Sequence, residues 1–168
     1  MANTYTLIAS STVGSGGAAY VEFTSIPATY TDLKLVLSLR GDQAATYASG
    51  FISFNGSSTG FVHKFVYGEG ATAASFGGNT NQIADQNGDT STANTFSNAE
   101  IYIPNYTLSN SKSVSIDGVT ENNATTAFIE LGVLVGPSAA ITSIRISPSA
   151  TKNWVQYSTA YLYGIKSS

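Results

Sequence analysis

Residues 32–40 read DLKLVLSLR, and their alternation decides the fold class. Leu33, Leu35, Leu37 and Leu39 occupy every second position, with Lys34, Val36, Ser38 and Arg40 between them. Successive side chains of a strand point to opposite faces, so this segment is a strand with one buried side. The same period recurs on either side of it. Ala19, Val21 and Phe23 alternate with Tyr20, Glu22 and Thr24, and Phe61, His63, Phe65 and Tyr67 alternate with Val62, Lys64 and Val66. In residues 128–135, Ile129, Leu131, Val133 and Val135 alternate with Phe128, Glu130 and Leu134. The expected core therefore holds Leu33, Leu35, Leu37 and Leu39 together with Ile129, Leu131 and Val133. Shorter alternating runs lie at 5–9, 51–54, 99–103, 114–116 and 141–146, and a last strand is expected at about 154–165.

Turn formers separate these runs: residues 14–17, Pro27, residues 56–60, Pro104 with Asn105, Gly136 with Pro137, and Pro148. No stretch sustains the apolar spacing of three and four that a helix needs. About ten short strands with turns between them predict an all-β single domain spanning residues 1–168. Its expected form is a two-sheet antiparallel β-sandwich.

The chain has 168 residues, enough for one domain that buries roughly 68–70% of its unfolded surface without a disulfide or a metal. There is no cysteine. Charged residues make up 10% of the chain and the net charge is −3. Ser, Thr and Asn, at 23, 20 and 12 copies, supply the polarity instead. Phosphate backbones are bound by clustered Lys and Arg, whereas the seven basic residues here are scattered from Lys34 to Lys166, which argues against nucleic acid as a partner. No apolar run is long enough to span a membrane. The start, MANTYTLIASSTVG, has neither the basic region nor the apolar run of a signal peptide, so synthesis in a cytoplasm without a leader is expected.

Residues 68–95 stand apart. They are rich in Gly, Ala, Ser, Thr, Asn, Asp and Gln, with Phe76 and Ile83 as the larger apolar residues. This composition predicts a long polar loop, mobile in the free chain or ordered against a neighbour.

The catalytic inventory is small. The single histidine, His63, alternates with Phe61 and Phe65, which is the pattern of a packed side chain. A glycosidase needs two carboxylates. Glu22, Glu100 and Glu130 are available, and each is expected on a solvated strand face. Asp85, Asn87 and Asp89 in DQNGD have the spacing that opens a calcium loop, but the glycine is misplaced and Phe96 stands where the closing Glu would be. Arg40-Gly41-Asp42 reads as an ordinary turn at a strand end. Tyr157, Tyr161 and Tyr163 share a parity with Val155 and Ile165, suiting a core or an interface, whereas Trp154 is the first candidate for stacking a ligand. No catalytic, cofactor or metal site is assigned.

Three segments carry a resemblance: residues 5–40, YTLIASSTVGSGGAAYVEFTSIPATYTDLKLVLSLR; residues 101–118, IYIPNYTLSNSKSVSIDG; and residues 157–165, YSTAYLYGI. Each resembles small decoration, fibre or tail-associated structural proteins of tailed bacteriophages. The resemblance covers rather more than a third of the chain and implies a jelly-roll-like sandwich on a virion, with no catalytic residues to carry over. The resulting expectation is a non-enzymatic capsid decoration protein. It would be a homo-oligomer, with a trimer favoured, and its partners would be the major capsid protein or other virion proteins. The alternative is a tail or fibre adhesin, or a carbohydrate-binding module.

Overall fold

The computed structural model describes residues 4–123, 126–149 and 151–166, and among them there are twelve strands and no helix. In chain order these are β1 (Tyr5–Thr12), β2 (Val21–Phe23), β3 (Asp32–Leu39), β4 (Tyr47–Phe54), β5 (Val62–Glu69) and β6 (Thr72–Gly78). They continue with β7 (Gln82–Asn87), β8 (Ser97–Ile103), β9 (Lys112–Asn122), β10 (Thr126–Gly136), β11 (Ile144–Ser147) and β12 (Thr159–Ile165). All pairings between these strands are antiparallel, in one eight-stranded sheet ordered β1-β12-β3-β8-β9-β10-β5-β6 and one four-stranded sheet ordered β2-β11-β4-β7. The chain is thus an all-β, two-sheet protein, as the period-two pattern predicts. A jelly roll divides eight strands between two sheets; here twelve strands divide eight and four.

The four leucines of β3 are buried beside Ile101 and Leu162 of the same sheet, in one continuous core with Ile52, Phe54 and Ile144 of the smaller sheet. β7 carries the smaller sheet onto β8, β9 and β10. Its approach to β9 is close: a Cβ built on Gly118 would lie 2.3 Å from the Ala84 Cβ. Only a residue without a side chain lets the two backbones meet there. The turn after β4 is Asn55-Gly56, both at positive φ (52° and 76°), which closes a two-residue turn between Phe54 and Ser57. The Asn55 side chain ties this turn to the segment before β11, donating to Ala140 O and accepting from Thr142 N, Ser143 N and Thr142 Oγ1.

Two sequence expectations are overturned. Residues 68–95 are not a long loop: they complete β5 and form β6 and β7, which hydrogen-bond to β5 and β4 within the same chain. The two additional strands raise the expected ten to twelve. Their composition hides them because β6 is exposed along most of its length and β7 buries polar residues alongside Ile83 and Ala84.

The parity of β10 is also reversed. Phe128, Glu130 and Leu134 are buried, whereas Ile129, Leu131 and Val133 lie on the outward face. The cause is the register, which sets Gly132 directly opposite Phe65 of β5, and opposite residues share a face. Phe65 belongs to the buried aromatic row of β5, so Gly132 and its even-numbered neighbours must point inward with it.

Leu37→Ala removes a fully buried side chain and should cost about 2–5 kcal/mol. Gly118→Val drives a branched side chain into Ala84 and should cost at least about 1–3 kcal/mol. Both follow from urea unfolding at constant slope against the wild type.

Candidate interaction surface

The reversed parity of β10 leaves an apolar ladder on the outer face of the larger sheet. Ile129, Leu131, Val133 and Val135 run along β10, flanked by Val62 and Val66 of β5, and all six are between 43% and 55% exposed. Val119 of β9 extends the ladder on the other flank. The register gives four rows: Val62-Val135-Ser113, Lys64-Val133-Ser115, Val66-Leu131-Asp117 and Gly68-Ile129-Val119. A shallow depression of about 530 Å3 lies at one side of the ladder, bounded by Val66, Gly68, Ala73, Ser75, Ile129 and Leu131. Single exposed apolar residues are ordinary, but a contiguous patch on a rigid sheet marks a place of contact. The outer face of the smaller sheet differs, with Arg145 bonded to Glu22 and stacked over Tyr20 at 4.0 Å.

Beside the ladder, a groove of about 400 Å3 is lined by Tyr5, Lys34, Glu100, Tyr102, Asp117 and Leu131. Lys34 Nζ lies 2.6 Å from Glu100, and this bond raises the lysine pKa. Asp32 accepts from the Tyr102 hydroxyl at 2.7 Å and from Asn105 N at 2.8 Å. The hydrogen bond to Asp32 pushes the Tyr102 phenol to about 12, so Tyr102 stays a donor committed to Asp32.

Other residues singled out in the sequence are built into the protein. Trp154 is 1% exposed, bridges Ala18 and Gly41 through its backbone, and donates its indole N–H to Ile146 O. It is a core residue and offers no stacking face. Of the tyrosines expected in a core or an interface, Tyr161 and Tyr163 point outward, half-buried, and Tyr157 is exposed at positive φ. His63 packs against Phe65 and Phe76, its Nδ1 3.1 Å from both Thr80 O and Thr80 Oγ1. The Arg40 guanidinium is buried and donates to the carbonyls of Asp89, Ser91, Thr92 and Thr95, so the tripeptide at 40–42 does not present its arginine. Asp85 and Asn87 lie on β7, not in a polar turn, and Asp89 is exposed beyond it.

The three glutamates are not brought together. Glu22 and Glu100 lie on the outer faces of different sheets. Glu130, expected on a solvated face, is 1% exposed inside the sandwich. It accepts from Asp85 N at 2.5 Å through Oε2, whereas Glu130 Oε1 and Asp85 Oδ1 are buried without a partner. Burial, with the nearby Asp85 carboxylate adding to it, pushes Glu130 from the usual 4.5 to about 8. Burial also raises Asp85, against a hydrogen bond from Ser49. A carboxyl in this state is a protonated core group, closed to substrate. Sequence reasoning missed it because the apolar count favoured the wrong face of β10.

Compared with protein-family models, with curated proteins and with solved structures, the chain matches none.

Because Glu130 has a higher pKa folded than unfolded, the folded chain holds the extra proton. Its stabilising effect is complete below about pH 4.5 and is lost as pH rises towards 8. Unfolding free energy should therefore fall as pH rises across that window. Glu130→Gln should flatten the profile, as followed by urea midpoints from acid to alkaline pH. Parallel profiles for the two proteins would contradict this account.

Proposed function

We propose that this chain is a non-enzymatic structural protein of a bacteriophage particle: a decoration protein held on the capsid surface as a homo-oligomer. The observation that carries the reading is the apolar ladder along β10 and β5. A sheet that exposes six large aliphatic side chains in register is built to be covered by protein. The low charge and the abundant Ser, Thr and Asn suit contacts made by shape and hydrogen bonds. The resemblance of residues 5–40, 101–118 and 157–165 to phage structural proteins supplies the setting. Its partners on this reading are the major capsid protein or other virion proteins, with neither nucleic acid nor membrane among them.

A second reading rests on the groove. Tyr5 and Tyr102 beside the Lys34–Glu100 pair and Asp117 offer aromatic faces, donors and acceptors to a saccharide, as an adhesin of the tail or fibre would. The two readings separate on particles. Heads lacking a decoration protein should assemble but release DNA at lower temperature, and the protein should travel with full heads on fractionation. Particles lacking an adhesin should be equally stable and fail to adsorb. Absence of the protein from purified particles would remove both.

A further inference from the structure

The ladder has an asymmetry that bears on what covers it. On its β5 side stands Lys64, whose stem lies over Gly77, where a Cβ would come within 3.0 Å of the Lys64 Cδ. The lysine therefore leans towards β6 and leaves Val133 uncovered. On the β9 side stands Asp117, paired in register with Glu100 of β8, and Lys34 is bonded to Glu100. One flank is thus positive and the other carries two carboxylates with one lysine. The apolar centre between them is long and nearly uniform, running Val135, Val133, Leu131, Ile129.

A surface with opposite charges on opposite flanks of an apolar strip complements itself. Rotating one copy by half a turn about an axis along β10, and laying it face to face on another, exchanges the flanks. The β10 ladders then meet each other. Lys64 of each copy comes over Ser115 of the other, one row (about 7 Å) along the strand from Asp117, a step that the lysine stem spans, and this happens twice by symmetry. Twisted sheets stack in this way about 10 Å apart with strands within about 30° of alignment. The area is adequate: five strands from β6 to β8 by eight residues of β10 span roughly 24 by 27 Å, about 650 Å2 in projection. The accessible area of so corrugated a surface is larger, approaching the ~800 Å2 per partner of a stable complex. We propose that the outer face of β10, with its flanks on β5 and β9, is the self-interface of a two-fold dimer of this chain. The inference goes beyond the proposed function and stands whether or not the dimer sits on a particle. It replaces the trimer favoured from sequence with a pair.

The test is the oligomeric state of the full-length protein alone, by analytical ultracentrifugation from micromolar to submillimolar concentration. The wild type should be a dimer. Leu131→Asp should raise its dissociation constant more than about tenfold, by placing a charge at the centre of the contact, with an unchanged far-UV spectrum. Lys64→Asp and Asp117→Lys are surface changes that keep the fold. Each alone should weaken the dimer several-fold by setting like charges across the axis, and the two together should restore it. A wild type that stays monomeric, a trimer, or a dimer indifferent to all four proteins would overturn the proposal. So would a monomer that binds undecorated capsids, or a saccharide, through these same residues, because the face would then belong to that partner.

Discussion

The contact between Phe65 and Gly132 governs the arrangement of the larger sheet. A Cβ on Gly132 would lie 2.2 Å from the Phe65 ring, so the ring occupies the space a side chain would have taken. Phe65 then stacks on Phe76 and leans on His63, forming an aromatic layer beneath β5 and β6. Phe128, two rows along the same face of β10, stacks on Tyr47 of the smaller sheet at 4.8 Å. One missing side chain thereby decides which face of β10 is inside, and so which residues are left for the outside. The aliphatic ladder is exposed because the aromatic row of β5 and the Phe128–Tyr47 stack already fill the interior.

This explains how far the sequence could be read. β3 was legible because one of its faces is leucine throughout and the other mixes charge and polarity. β10 was not, because both faces are apolar and a count of aliphatic side chains favours the wrong one. The deciding information lay in β5, through a register that no single-strand pattern contains. β6 and β7 were illegible for a different reason. Ala, Ser, Gly and Asn have little intrinsic preference for strands, and both segments are held by pairing with β5 and β4. Of the candidate surface, His63 as a packed side chain was readable from its aromatic neighbours. The buried state of Trp154 and Glu130 depended on contacts between sheets.

A chain with few charges puts several of them inside. Arg40 donates to four carbonyls and so organises residues 89–95 around the end of β3. Lys112 is equally buried, its ammonium held by Leu108 O, Asn110 O and Ser138 O, which joins the segment before β9 to the one after β10. In both cases the cation satisfies backbone groups that irregular segments would otherwise bury unpaired. Such ties do for the loops what ladder hydrogen bonds do for the strands.

The Asn55-Gly56 turn bears on how the molecule ages. Asparagine followed by glycine is the pair most prone to lose its amide, because the small neighbour lets the side-chain carbon close onto the next backbone nitrogen. Here the Asn55 carboxamide is engaged by Ala140, Thr142 and Ser143. Ring closure would have to break those bonds and detach the turn from β11. Conversion to aspartate would replace the donor to Ala140 O with a negative oxygen facing a carbonyl. The native turn is thus a guard against its own chemical decay at the join between β4 and the segment before β11.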